Sequence, residues 1–255
     1  MGNGPSVSGE MLDLGRNGVP GDGIRSTRSA TAPTVALYLL MVLTFVTGVV
    51  DAVGFLALDR VFVGNMTGNI VILGMAVAGA DDLPIVGPAI ALVTFTLGAL
   101  VAGVFLRRRR KEWGAAVTSL LTVGAAILAG LGVAFLVPAW AGSSSLELVA
   151  SSLTAAVMGV QAAVARSLAV TDMTTVVVTS TLTSLASESL VDKGVKGMWN
   201  RRFAAIAVIF LGALIGALLL VFGPSVPLLL AALLTAAVVA VGHGQLFAPT
   251  RAGIA

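Results

Sequence analysis

The chain has 255 residues, 57% of them hydrophobic and only 11% charged. Soluble domains carry roughly 25% charged residues, so this composition cannot cover a water-soluble globule and excludes that class. The net charge of +3 is spread between apolar blocks rather than along one face, which makes it topology information and not a nucleic-acid footprint.

Residues 1–32 are rich in Gly, Ser, Asn and Arg without an apolar run, which predicts a disordered cytoplasmic tail. A secretory signal is not expected, because the first apolar block starts near Val35 and outruns an h-region. Six long apolar blocks follow: Val35–Leu58, Pro84–Leu106, Gly114–Val137, Leu146–Ala165, Phe203–Phe222 and Val226–Phe247. Each is long enough to cross roughly 30 Å of hydrocarbon as an α-helix, and none alternates as a membrane β-strand would. Residues 249–255 form a short C-terminal tail.

Two further blocks differ in kind. Val61–Ala80 contains Gly64-Asn65-Met66-Thr67-Gly68-Asn69, and Thr171–Leu190 contains Asp172 and the run Thr179-Ser180-Thr181-Leu182-Thr183-Ser184. Polar groups at membrane depth are tolerated only inside protein or beside a water-filled cavity, so both blocks are expected inside the bundle. If both crossed, the Arg107–Lys111 run and the Lys193–Arg202 cluster would fall on opposite faces. If both re-enter, the tail arginines, both clusters, Arg166 and Arg251 share the cytoplasmic face, leaving Arg60 as the exception. The expectation is therefore an all-α polytopic membrane helix bundle of six spans plus two re-entrant or half-helices, with both termini cytoplasmic. One crossing polar block would give seven spans.

The order of elements repeats: span, polar Thr-rich segment, span, span. A shift of about 112 residues lays Thr67-Gly68-Asn69 on Thr179-Ser180-Thr181 and, with a two-residue gap, Asp51 on Gln161. Three crossings per half orient the halves oppositely, which predicts a 3+3 inverted repeat, 33–138 and 139–248. In such repeats half-helix N-termini meet near the midplane and form a site.

The stretches Gly48-Val49-Val50-Asp51-Ala52-Val53-Gly54-Phe55 and Val61-Phe62-Val63-Gly64-Asn65-Met66-Thr67-Gly68-Asn69 resemble the signature of the YoaK family of bacterial multi-pass membrane proteins, which carry a domain of unknown function. Met158–Ala163 and Thr174–Leu182 are similar to that family's second such stretch, although Ala162 and Ser180 stand where the family usually has Asn and Gly. The resemblance covers Pro33 to Phe247. It implies a bacterial cytoplasmic-membrane location and no particular substrate.

Asp51 is the sharpest candidate, because an acid inside an apolar span is expensive and faces the bundle interior, where it binds a cation, relays a proton or holds a neighbouring segment. Asn65, Thr67, Gly68, Asn69, Gln161, Thr179 and Thr181 are the candidate lining residues, and the alternative for the first four is helix capping and packing. Arg166 and Asp172 are candidates for an ion pair or gate, or for snorkelling to the interface. Gly212-x-x-x-Gly216 predicts close helix packing, and Trp113, Trp140 and Trp199 at block edges predict interface anchors.

Cys is absent and His243 is the sole histidine, so no metal, cofactor or enzymatic constellation is expected. The leading expectation is a small-solute secondary transporter or permease, whose partners are the lipid bilayer and a small solute or ion. An uncoupled channel-like pore and a non-transporting membrane scaffold are the alternatives.

Overall fold

A computed structural model describes residues 31–80, 82–107, 113–137, 143–168 and 201–247. The described elements are helices: α1 (Thr31–Ala57), α2 (Met66–Val77), α3 (Val86–Leu106), α4 (Ala115–Ala134), α5 (Ser144–Ser167), α6 (Arg201–Leu219) and α7 (Ser225–Gly242), with a 3₁₀ turn after α6 and a π turn after α7. Six of them are long and apolar enough to cross a membrane, and α2 is not.

Local chemistry sets the boundaries. α1 begins at Thr31, inside the expected tail, because Pro33 sits in its first turn, where no backbone N–H is needed. Pro88 and Pro227 occupy the same position in α3 and α7. Ser143 caps α5 by accepting from the Leu146 N–H, and Glu147 in the first turn complements the helix dipole. Gly223, with φ +90°, and Pro224 separate α6 from α7.

Two apolar clusters fix how the helices run. One gathers the start of α1 (Leu39, Leu40), the start of α4 (Trp113, Val117), the end of α5 (Val164, Ala165) and the end of α7 (Val238), with Leu106 of α3 and Ala205 of α6 against it. The other gathers Val53 and Leu58 at the end of α1, Ala91 near the start of α3, Leu131 of α4, Ala150 of α5 and Leu228 of α7, with Leu220 against it. The six long helices therefore alternate in direction, and α5 ends at the same end of the bundle where α6 begins.

The segment between α1 and α3 returns to the end it left. Arg60 Nη1 donates to the Asp82 carbonyl at 2.9 Å, and Gly87 at the start of α3 lies against Val61. Between them the chain descends to Asn65, and α2 climbs back over 12 residues, about 18 Å at 1.5 Å per residue. That is short of a full crossing, so Val61–Ala80 is a re-entrant half-helix. The second polar block, with Asp172, Thr179 and Thr181, lies outside the described residues.

The bundle closes on glycines. α3 packs most extensively on α5 and α1 on α6, with α4 on α7 between them. In the first two crossings the backbones touch. A Cβ on Gly48 would collide with the Ile209 carbonyl oxygen and one on Gly212 with that of Phe45. A Cβ on Gly98 would likewise collide with the Ala156 carbonyl and one on Gly159 with that of Phe95. The pair Gly212 and Gly216 thus seats α6 against α1 as the spacing predicts. Trp113 departs from expectation: it is buried at 5% exposure, packs over Gly242 of α7 and donates from Nε1 to Thr118 Oγ1 at 3.1 Å. The bare glycine leaves a slot the indole fills, so it wedges α4 to α7 instead of anchoring at the interface.

Candidate functional site

Asp51 lies six residues before the end of α1, about 9 Å inside the bundle. Its Oδ1 accepts from three consecutive backbone N–H groups, Val63 at 2.9 Å, Gly64 at 2.7 Å and Asn65 at 3.3 Å. These belong to the last residues before α2, so the carboxylate sits where a helix N-terminus attracts negative charge. Gly64 is required by the approach: a Cβ there would stand 2.8 Å from Thr47 Cγ2 and 3.3 Å from Asp51 Oδ2. Among the described residues none donates to Oδ2.

The Asn residues of the motif serve the backbone. Asn65 caps α2, its Oδ1 accepting from the Gly68 N–H at 3.3 Å. Asn69, fully buried, accepts from the Phe62 N–H at 2.9 Å through Oδ1 and donates through Nδ2 to the Phe62 carbonyl, as a neighbouring strand would. Gly68 lies under the Phe62 ring, which stacks on Phe55 with centroids 4.9 Å apart. Thr67 is exposed, and its hydroxyl makes no hydrogen bond among the described residues. Replacing Asn69 with Ala strips both partners from Phe62, and we expect a loss of about 2 kcal/mol. Thermal unfolding in detergent measures it, and a loss below about 0.5 kcal/mol would contradict the pairing.

Gln161 on α5 is buried and spent on α1: Nε2 donates to the Leu43 carbonyl at 3.1 Å and to Thr47 Oγ1 at 3.0 Å, while Thr47 donates to Leu43. Thr47 is one turn before Asp51, so Gln161, Thr47 and Asp51 form a polar seam on one face of α1. Sequence reasoning passed over Thr47, although its i−4 spacing from Asp51 marks the same face. It also passed over Thr154, seven residues before Gln161, whose buried hydroxyl has no hydrogen-bond partner among the described residues. Arg166 is exposed at the end of α5.

The structure therefore brings together Asp51, Asn65, Gly68 and Asn69 around the re-entrant turn and ties Gln161 to α1. Among the candidate residues, Asp51 Oδ2 and the Thr67 hydroxyl have no hydrogen-bond partner among the described residues, as the Thr154 hydroxyl has none. Among the described residues no group of three or more His, Cys, Asp and Glu stands close enough to hold a metal ion.

Six alternating spans around a re-entrant half-helix define a multi-pass integral membrane protein. A family model described as "Protein of unknown function (DUF1275)" matches residues 39–241, and the chain belongs to that family. The UPF0700 transmembrane protein YoaK of Bacillus subtilis (strain 168) is 32% identical over 159 residues, covering 61% of this chain and 69% of that relative. No solved structure matches.

Proposed function

We propose that this protein is a small-solute secondary transporter or permease, and not an enzyme, with Asp51 as its proton or cation site. The observation that carries this reading is the half-helix α2 starting inside the bundle on a carboxylate whose second oxygen no described residue donates to. Chemically the arrangement suits a site that loads and unloads. A proton or cation on Oδ2 leaves Oδ1 free to accept from Val63, Gly64 and Asn65, so the segment holds in both states.

An inverted repeat supports the same reading. Exchanging α1, α3 and α4 with α5, α6 and α7 turns the α1–α6 crossing into the α5–α3 crossing and maps α4–α7 onto itself. The glycines follow: Gly48 faces Gly212 as Gly159 faces Gly98. This register sets Gly48 on Gly159 and hence Asp51 on Ala162, one residue beyond the Gln161 match that sequence alignment suggests. On this reading Asp51 has no carboxyl counterpart in the second half, and the site is asymmetric.

Charge supports the orientation. Arg107 and Arg166 lie at the end of the bundle where α1 starts, and Asp59, Asp82 and Glu147 at the other. The positive-inside rule supports taking the basic end as the cytoplasmic one, and with it both termini in the cytoplasm and the protein in the cytoplasmic membrane.

Proteoliposome flux tests the function. Asn at position 51 keeps an oxygen for the three N–H donors but cannot take up a proton or a cation's charge. Wild-type protein is expected to drive gradient-dependent uptake from a metabolite panel, and Asp51→Asn to lose at least about tenfold of it, the scale of a 1.4 kcal/mol effect. Flux indifferent to the gradient and to Asp51→Asn would instead make the protein a channel-like pore. Silence across the panel would leave a scaffold whose Asp51 only holds the turn.

A further inference from the structure

A cavity of about 450 Å³ lies between α3, α4 and α5, away from the polar seam. Val101, Phe105, Ser119, Val123, Ile127 and Val157 line it, and none of the candidate site residues does. Val101, Phe105 and Val123 are among the exposed large hydrophobics, so the groove opens sideways to lipid and not into the bundle.

Its lining on α4 runs from Ala115 to Ile127, 13 residues whose 12 rises of 1.5 Å span about 18 Å. That is close to one leaflet of a hydrocarbon core roughly 30 Å thick. The groove begins at the basic end of the bundle, where α3 finishes and α4 starts. Two residues past the lining Phe105, the exposed Arg107 caps α3, and among the described residues no carboxylate pairs with it. An acyl chain meets the apolar length of such a groove, and an anionic headgroup meets the cation at its mouth.

We propose that the α3–α4–α5 groove is a binding site for one anionic phospholipid of the leaflet at the basic end, one of its acyl chains along α4 and its phosphate at Arg107. The site is independent of the transport reading and rests on the groove's lining and the exposed Arg107 at its mouth. Holding a lipid there seals the gap beside the Gly98–Gly159 crossing, one of the two contacts on which the bundle closes.

Native mass spectrometry of the delipidated full-length chain tests this, with dioleoylphosphatidylglycerol and dioleoylphosphatidylcholine supplied in equal amounts. Wild-type protein is expected to retain one phosphatidylglycerol in preference to phosphatidylcholine. Arg107→Gln should lower that preference about fivefold, the effect of one basic residue at an anionic surface, while still retaining a lipid. Ser119→Trp, at an exposed lining position, fills the groove and should abolish retention of either lipid, and Val123→Trp should do the same by a second route. Equal retention of the two lipids by wild type would overturn the headgroup assignment. Wild-type retention in both folded Trp variants would overturn the groove.

Discussion

Asp51→Ala is expected to destabilise the protein by about 3 kcal/mol or more, because Val63, Gly64 and Asn65 together lose the acceptor of three N–H groups at membrane depth. In thermal unfolding this is a fall on the order of 10 °C for a chain of this size. Asp51→Asn keeps an acceptor in place and should cost less than half as much, since only the charge-assisted part of each bond is lost. The pair of variants separates two roles of one side chain. Oδ1 holds the turn and no described residue donates to Oδ2, so stability follows the alanine variant and, on the proposed transport reading, flux follows the asparagine one. Equal stability of the two variants would mean that the carboxylate does not hold the turn.

Adding a methyl at the glycine crossings is the second large effect. Gly48→Ala and Gly159→Ala each push a Cβ into a backbone carbonyl of the facing helix, which cannot rotate away as a side chain would. The helices must separate along their length, and we expect about 2–4 kcal/mol for each substitution. Gly103 and Gly130 are the controls, because a Cβ at either meets nothing within 4 Å. There alanine should be neutral or stabilising by up to about 1 kcal/mol, since it removes backbone freedom in a helix. Unfolding in detergent and the yield of monodisperse protein read both effects. A Gly48 variant as stable as the Gly103 variant would show that α1 and α6 do not touch as described.

The glycine pattern shows how far the sequence can be read. Gly212 and Gly216 announce a close contact by their spacing, but not that their partner is Gly48 on α1, 164 residues away in sequence. Gly98 and Gly159 carry only the weaker spacings Gly98-x-x-x-Ala102 and Ala155-x-x-x-Gly159-x-x-x-Ala163, which are common in Ala-rich spans. Asn69 was legible as a polar residue that must face inward, whereas Asn65 is exposed and caps α2. Whether Asn69 lines a pocket or pairs with backbone depends on Phe62, and only the folded turn brings Phe62 to Asn69.

The block lengths and the scarcity of charge determine by themselves that this chain lives in a bilayer as six long helices and two polar segments. Hydrophobic length and the cost of burying charge are local properties of each segment, and they are written in composition. The sequence also fixes which residues are expensive, Asp51 above all. Tertiary structure alone decided that Val61–Ala80 returns to the end it left, through Arg60 meeting the Asp82 carbonyl and Gly87 meeting Val61. It alone gave the Asp51 Oδ1 its three donors, because hydrogen-bond partnership depends on atoms brought together across the turn. Energetic necessity is readable along a chain, whereas the partner that satisfies it is set by which backbones can approach, and that is decided by packing.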